Sequence, residues 1–330
     1  MNKMELLWKL NDRYTIWNSL LLYLGMAYTT VVNSKFVANI FQESFKRIRQ
    51  VPEVLYPSIQ FDKFDRTVDP SLPEVQVLKA DDNTVSFLSI NRYERKKDIN
   101  LAIHAFARLL KDTSVNSKGR KLRLIVSGGY DTRVPENVEH HQELVQLAEA
   151  KHGLKTFTLA SGQTDKAVPV DTQVLFLQSI SDVQKLYLLK TARALLYTPT
   201  NEHFGIVPVE SMYMKCPVVA VNSGGPTESV LHGKTGYLCE PKEIVWADTL
   251  KTLLEKSGQE VKGMGQVGHD RVVGLFSLKA FVFKLNGMLV QLKQGQGPSF
   301  ESYGMFGAMH PLAVFAVIAL ALSIMVLYAK

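Results

Sequence analysis

The sequence predicts an α/β protein built on a doubly wound parallel sheet. Between about residues 85 and 292, short apolar runs alternate with amphipathic stretches, which is the pattern of strands joined by crossover helices. The conspicuous polar and glycine-rich motifs come directly after the apolar runs, where such a sheet binds its ligand. Strands are predicted at 85–90, 122–128, 156–160, 174–178, 194–199 and 217–222.

The helices are predicted from apolar spacing and from terminal signals. Residues 99–110 carry apolar side chains at 99, 102, 103, 106, 109 and 110, which fall on one helix face. Residues 180–192 offer Ser181 as an N-cap and Asp182 in the first turn. Further helices are predicted at 139–150, 204–215, 249–258 and 278–292.

Composition excludes several classes of protein. The 38 Lys and Arg against 31 Asp and Glu give a net charge of +7, but no dense basic run with interleaved aromatics predicts nucleic-acid binding. Two cysteines, Cys216 and Cys239, form neither a disulfide framework nor a zinc motif, which fits a cytosol-facing chain. The sequence contains no P-loop, no dinucleotide fingerprint after a predicted strand, no Asp-x-Asp and no G-x-S-x-G, so neither a metal nor a cofactor is predicted.

Both ends of the chain carry uncharged segments. Residues 311–329 have no charge, and as a helix they span roughly the 30 Å hydrocarbon core, so we predict a transmembrane helix that acts as a tail anchor. Residues 294–310, rich in Gly, Ser and Met, are predicted to be a flexible linker. For 14–34 we favour a helix to about Gly25 and a strand near 29–32 over a second membrane helix.

The first motif that suggests chemistry lies in residues 89–99, between the first predicted strand and its helix. It holds four cations at a turn where helix N-terminal amides already favour an anion: Arg92, Arg95, Lys96 and Lys97. Their position at a strand end indicates a phosphate site, whereas the alternative is a solvated basic loop.

The second motif, residues 199–210, follows the fifth predicted strand. Glu202 and Glu210 are eight positions apart, and Gly205 permits close approach of a ligand to the backbone. A carboxylate suits the hydroxyls of a ribose or hexose, since it accepts two hydrogen bonds from a vicinal diol. The alternative is a pair of ordinary surface glutamates.

The third motif is the Gly224-Gly225-Pro226 turn, with Glu228 just beyond it. Paired glycines after a strand are expected to present backbone N–H groups to an oxyanion. The alternative is an ordinary turn, because Gly-Pro is strong turn punctuation.

In this order, the three motifs resemble the nucleotide-sugar-binding half of family-four retaining GT-B glycosyltransferases. The strings at 89–97, 196–210 and 220–229 are most similar to the mannosyltransferases that build the dolichol-linked N-glycan precursor. The likeness runs from about residue 26 to 292. The resemblance implies a GT-B-type fold, in which a nucleotide-sugar-binding Rossmann-like domain faces an acceptor domain.

The resemblance also implies a role for each motif. Arg92 and Lys97 would grip the donor diphosphate and stabilise the charge that develops as the sugar leaves, and Glu202 would hold the transferred sugar. The remaining donor-binding residues would be Glu210 at the ribose, Gly205 and Ile206 through their backbone amides, and Gly224 with Gly225. Asn91 stands where the wider family has glycine, a departure that matches the mannosyltransferase subgroup.

The implied activity is transfer of mannose from GDP-mannose to a mannosylated chitobiosyl diphosphate on dolichol, in α-1,3 and α-1,6 linkage. The resemblance places this at the cytosolic face of the endoplasmic reticulum membrane, without metal or cofactor, and suggests other glycosyltransferases of the same pathway as partners.

The domain organisation that follows is a remnant of the acceptor domain at 1–55, a linker at 56–84, and a donor domain at 85–293. Residues 25–45 resemble the last helix, the strand and the following helix of the first domain. Because the family's glycine-rich opening loop and catalytic histidine have no counterpart, we expect a shortened first domain. Two alternatives follow: a catalytically inactive module that binds GDP-mannose, or a membrane-tethered interaction module.

Overall fold

The computed structural model describes residue 27, residues 29–116 and residues 119–294. The predicted helix ending near Gly25, the linker beyond residue 294 and the membrane helix at 311–329 lie outside the described residues. The chain divides into two compact units, Pro57–Ala280 and a second made of Met1–Tyr56 with Phe281–Lys330.

The smaller unit contains a two-stranded parallel sheet. Its strands are β1 (Val31–Val32) and β2 (Glu53–Val54), and the connection between them holds α1 (Lys35–Ser44). Helix α1 begins at Ser34, whose hydroxyl accepts a hydrogen bond from the amide of Val37. The strand predicted near residues 29–32 and the helix after it are therefore confirmed.

The larger unit is built on a seven-stranded parallel sheet. Its strands are β3 (Thr84–Ile90), β4 (Lys121–Gly128), β5 (Thr156–Leu159), β6 (Val174–Gln178), β7 (Ala194–Tyr197), β8 (Val218–Val221) and β9 (Gly236–Cys239). Their spatial order is β5-β6-β4-β3-β7-β8-β9, and all neighbours are parallel. The six predicted strands are confirmed. The seventh, β9, was not predicted because its four residues are embedded in a glycine-rich turn sequence.

Helices precede, connect and follow the strands of this sheet in the larger unit. They are α2 (Phe61–Phe64), α3 (Pro73–Gln76), α4 (Ile99–Leu110), α5 (Thr113–Asn116), α6 (Pro135–Gln146), α7 (Asp182–Thr191), α8 (Ile206–Tyr213), α9 (Pro226–Ser229), α10 (Glu243–Glu255) and α11 (Gly258–Leu275). The last helix, α12 (Leu278–Lys293), begins in the larger unit and ends among the residues of the smaller one. Arg95–Lys97 form a 3₁₀ turn, and Leu147–Lys151 extend α6 as a π-helical turn. Helix α7 begins with a full capping box between Ser181 and Gln184, so its predicted start is confirmed.

One long helix was not predicted, because α11 carries glycines at positions where they disfavour a helix. The structure supplies the reason for Gly265. A Cβ atom there would lie 2.1 Å from the carbonyl oxygen of Lys215, and one on Gly268 would lie 3.3 Å from the Met212 side chain. These two glycines therefore let α11 pack directly against α8 and the turn after it.

Among the described residues, one helical stretch, Gly258–Lys293, is long and apolar enough to cross a membrane, and it comprises α11 and α12 with a break at 276–277. Length and composition alone give this result. Helix α11 packs at Gly265 against other residues of the larger unit. Its hydropathy is therefore not enough by itself to identify it as a membrane-spanning helix.

The sheet reverses its order between β3 and β7. From β3 the chain first forms β4, β5 and β6 on one side, with β6 between β4 and β5, and then returns to place β7, β8 and β9 on the other side. The carboxyl ends of β3 and β7 are therefore adjacent, and this is the switch point where doubly wound sheets bind ligands. Beneath it lies a core that includes the fully buried Phe87, Phe106 and Trp246.

We expect Gly265→Ala to lower the free energy of unfolding by about 1–3 kcal/mol, because the new methyl group collides with backbone that cannot rotate away. Gly263→Ala on the same helix is the matched control. A Cβ atom at Gly263 meets nothing within 4 Å, so this change should be neutral or stabilising by up to about 1 kcal/mol. Urea unfolding of both variants measures the difference, and equal effects would contradict the packing described for α11.

Candidate functional site

A rigid loop leads from β3 into α4 across the carboxyl edge of the sheet. Its anchor is the fully buried Tyr93, whose hydroxyl donates to the carbonyl oxygens of Val126 at 3.1 Å and Leu177 at 3.2 Å. The Asn137 side chain in turn donates to the Tyr93 carbonyl at 3.0 Å. These bonds tie the loop to the ends of β4 and β6, and thereby fix the position of the cations that follow.

The four cations of this loop do not share one role. Lys97 turns inward, with only 13% of its side chain exposed, and its Nζ lies 2.5 Å from Oε2 of Glu202. Arg92 and Lys96 both lie 3.2 Å from the Glu94 carboxylate. Arg95 pairs instead with two glutamates of α6, Glu139 and Glu143.

Glu202 lies in the loop between β7 and α8. Thr198, at the start of this loop, is fully buried and donates its hydroxyl to the Lys97 carbonyl oxygen at 2.6 Å. Gly205 ends the loop with φ of 78°, a left-handed conformation that glycine adopts without strain. The loops after β3 and β7 are thus joined by the hydrogen bond from the Thr198 hydroxyl to the Lys97 carbonyl as well as by the Lys97–Glu202 ion pair.

Gly224 and Gly225 lie beneath the Glu202 loop. A Cβ atom on Gly224 would lie 2.4 Å from the Glu202 carbonyl oxygen, and one on Gly225 would lie 2.3 Å from the Phe204 backbone. The amide of Gly225 donates to the Glu202 carbonyl at 2.8 Å. The expectation that this amide is presented to an oxyanion is therefore wrong. The close approach of two loops explains why glycine is needed at both positions.

The Glu202 carboxylate stays ionised although the protein covers most of it. Burial by itself raises the pKa of Glu202, but the Lys97 ammonium and the Tyr197 hydroxyl outweigh burial, so that the net pKa of Glu202 lies below its ordinary value. Burial and the adjacent Glu202 charge raise the pKa of Tyr197, which therefore remains protonated. The site thus sets the Glu202 carboxylate directly beside the Lys97 side chain.

The second carboxylate, Glu210, faces a separate pocket of about 310 Å³. The pocket is lined by the first turns of α7 with Asp182, Lys185 and Leu186, by Ile206 on α8, and by five residues that precede or belong to α2: Ser58, Ile59, Gln60, Lys63 and Phe64. Lys185 Nζ lies 2.6 Å from Glu210 Oε2. The pocket combines apolar surface with both signs of charge, a lining suited to a nucleoside.

The structure therefore brings most of the predicted site residues together. One cluster contains Lys97, Glu202, Gly205, Gly224 and Gly225. The pocket is lined by Ile206 and Glu210. Arg92 lies in the same loop as Lys97 and pairs with Glu94.

The sequence reasoning missed Lys185, Thr198 and the wall at 58–64. Lys185 lies on a predicted helix that is otherwise lined by buried leucines. The signal that could have identified Lys185 from the sequence was a lysine among the core positions of that helix.

Within 29–116 and 119–294, no group of three or more His, Cys, Asp or Glu side chains is arranged to hold a metal ion. The lysine and arginine side chains of the site carry the positive charge that can bind an anionic ligand.

A parallel sheet with a lysine–glutamate pair at its switch point and a polar pocket beside it has its polar groups where doubly wound folds bind ligands. Residues 73–269, more than half of the chain, match the family described as glycosyl transferases group 1, and the chain belongs to this family. The α/β fold class that the sequence predicted, of the GT-B type, is confirmed.

Curated relatives of this chain are named alpha-1,3/1,6-mannosyltransferase ALG2. The protein of Rhizomucor pusillus is 44% identical over 296 residues, which cover 89% of this chain and 63% of the relative. The human protein is 42% identical over 269 residues, which cover 81% and 59%. The chain thus spans about three-fifths of the length of the curated relatives it matches.

Solved structures show the same fold at low sequence identity. A glycosyltransferase from Rickettsia africae has a TM-score of 0.65 at 20% identity, covering 83% of this chain and 67% of that one. Anabaena HepE, solved in complex with UDP-glucose, has a TM-score of 0.60 at 19% identity, covering 80% and 64%.

The lowered pKa of Glu202 predicts a defined pH dependence of stability. A carboxyl group whose folded pKa is depressed stabilises the fold fully above its unfolded value of about 4.3, and this contribution is lost as the pH falls through the folded pKa. At pH 7 we expect Glu202→Gln to lower the free energy of unfolding by about 1–2 kcal/mol. The difference from the natural chain should shrink as the pH falls below about 4.3.

Denaturant unfolding between pH 7 and pH 3 measures this difference. Glu240→Gln is the control, because the Glu240–Lys242 pair is exposed on both sides and should contribute little. A Glu202→Gln deficit that stays constant down to pH 3 would show that the Lys97–Glu202 pair does not shift the titration of Glu202.

Proposed function

We propose that the chain binds GDP-mannose at the switch point of its seven-stranded sheet and serves the transfer of mannose to a dolichol-linked oligosaccharide. The observation that carries this is the Lys97–Glu202 pair, which sets a cation and a carboxylate side by side where the ends of β3 and β7 meet. The names of the relatives support mannose as the transferred sugar.

In this proposal, Lys97 leaves Glu202 for a phosphate oxygen when the donor binds. The diphosphate carries more negative charge than the carboxylate, and a lysine ammonium donates to either. Glu202, still adjacent to the Tyr197 hydroxyl, then accepts hydrogen bonds from the hydroxyls of the sugar. As the sugar–phosphate bond breaks, Lys97 and the exposed Arg92 stabilise the negative charge that accumulates on the leaving diphosphate.

The nucleoside occupies the pocket beside Glu210. Its volume of about 310 Å³ is enough for a base and a ribose. Glu210 receives the ribose hydroxyls, because a carboxylate accepts from both members of a vicinal diol. The apolar side chains of Ile59, Phe64 and Leu186 line the same pocket and offer a surface for the base.

The proposed acceptor is a mannosylated chitobiosyl diphosphate on dolichol, at the cytosolic face of the endoplasmic reticulum membrane. The uncharged segment at 311–329 supports a membrane location, since it is long enough to span a bilayer. The same proposal includes transfer without a metal or cofactor. It also includes association with other glycosyltransferases of the pathway.

A second candidate function is donor binding without transfer. Every residue assigned to the donor lies within Pro57–Ala280, a compact unit by itself. The two functions differ in turnover and share the donor site.

Donor binding should depend on Lys97 and much less on its neighbour Lys96. We expect Lys97→Met to weaken GDP-mannose binding by about 10- to 100-fold, the cost of losing one charge-assisted contact to the diphosphate. Lys96→Met removes the same charge from the adjacent position, where the side chain is 68% exposed, and should change the affinity by less than about threefold. Calorimetric titration of the full chain in detergent measures both. Equal losses would mean that only the net charge of the loop matters.

Turnover should separate the two candidate functions. We expect the full chain in detergent to move mannose from GDP-mannose to the lipid-linked acceptor, with release of GDP, and Lys97→Met to lower the rate by about 100-fold or more. Labelled mannose recovered in the lipid fraction is the measurement. Binding of GDP-mannose with no labelled lipid would favour the binding module, and absence of both binding and transfer would overturn the proposed function.

A further inference from the structure

The pocket beside the switch point contains a second lysine–glutamate pair. Lys185 Nζ lies 2.6 Å from Glu210 Oε2, and the two side chains are only 24% and 14% exposed. We infer that Lys185 is a positioning residue for the donor ribose, which holds the Glu210 carboxylate in the orientation that receives the ribose hydroxyls. This inference rests on the proposed function and deepens it.

Two sets of contacts fix the position of Lys185: the hydrogen bonds that hold the start of α7, and a contact of the lysine itself with an aromatic ring. It stands on the second turn of α7, whose first turn is closed by the capping box of Ser181 and Gln184. These two residues also bond to α3, because the Ser181 hydroxyl donates to the Glu74 carboxylate at 2.5 Å and the Gln184 side chain donates to the Glu74 carbonyl at 3.1 Å. The Lys185 ammonium lies 5.9 Å from the centre of the Phe64 ring, within the range of a cation–π contact.

The Lys185–Glu210 pair can persist when the donor is bound. A carboxylate offers about four lone-pair sites, so one bond from Lys185 leaves capacity for two hydroxyl groups. The ribose brings neutral hydroxyls to this pocket and has no charge that competes for the ammonium. In this respect the pair differs from Lys97–Glu202, in which Lys97 leaves the glutamate and binds the incoming diphosphate. Lys185 therefore orients its glutamate throughout the binding of the donor.

A simpler role for Lys185 would be long-range attraction of the anionic nucleotide. The two roles predict different dependence on the ribose. An attracting charge strengthens binding of every guanosine diphosphate equally, whereas a positioning residue strengthens only the contact between Glu210 and the ribose hydroxyls. Comparison of GDP with 2′-deoxy-GDP separates the two roles.

The experiment measures the dissociation constants of GDP and 2′-deoxy-GDP for the full chain in detergent. The variants are Lys185→Met, Lys185→Arg and the control Lys190→Met, which removes the same charge from an exposed position on the same helix. We expect the natural chain and Lys190→Met to prefer GDP by about tenfold, the size of one charge-assisted hydrogen bond. In Lys185→Met the preference should fall to about twofold or less, and Lys185→Arg should restore part of it.

The outcomes decide between the roles. Loss of the preference in Lys185→Met with rescue in Lys185→Arg supports the inference, because a general loss of structure would weaken both nucleotides alike. An unchanged preference in Lys185→Met, with or without weaker binding, overturns it, as does a natural chain that binds both nucleotides equally. If Lys185→Met does not fold by calorimetry, Lys185→Gln gives the same comparison. A natural chain that binds neither nucleotide overturns the proposed function and this inference together.

Discussion

The larger unit depends on one ion pair formed across the switch point of a parallel sheet. Lys97 and Glu202 come from loops 105 positions apart in the chain, and they meet because β3 and β7 are neighbours. The ammonium and the carboxylate are both mostly covered, so each offsets the cost of burying the other. Much of the surrounding structure serves this meeting: Tyr93 anchors the first loop, and Thr198 bonds the second loop to it.

The two glutamates of the site each have a lysine of their own, yet the two pairs differ in purpose. Lys97 approaches from the loop after β3 and faces the place proposed for the phosphates, where it can exchange a carboxylate for a diphosphate. Lys185 approaches from α7 and faces the place proposed for a neutral ribose, where no exchange is needed. Pairing holds both carboxylates in a fixed orientation in a partly covered site, which is the condition for recognising hydroxyl groups at both ends of the donor.

The glycines of the site act by allowing backbones to meet. Gly224 and Gly225 admit the Glu202 loop at distances that no side chain would permit, and Gly265 admits the turn after α8 in the same way. Helix α8, which carries Ile206 and Glu210, is therefore held from the sheet side by the strands and from the outer side by α11. A glutamate in the middle of a helix packed on both sides keeps its direction, and this is what a binding site requires.

The sequence by itself determined the six strands with apolar runs, the capped start at Ser181, and the residues of three motifs, because apolar periodicity and capping are local properties of the chain. It also identified Glu202 and Glu210, and it placed four cations at one turn without showing which partner each of them meets. Only the tertiary structure decided that Lys97 turns to Glu202 while Arg95 turns to α6, and that Lys185 completes the second pair. It also revealed β9 and the glycine-rich helix α11, whose own residues disfavour a regular element until neighbouring strands and helices pack against them. Which charge meets which partner depends on how distant segments are brought together, and local sequence carries no record of that pairing.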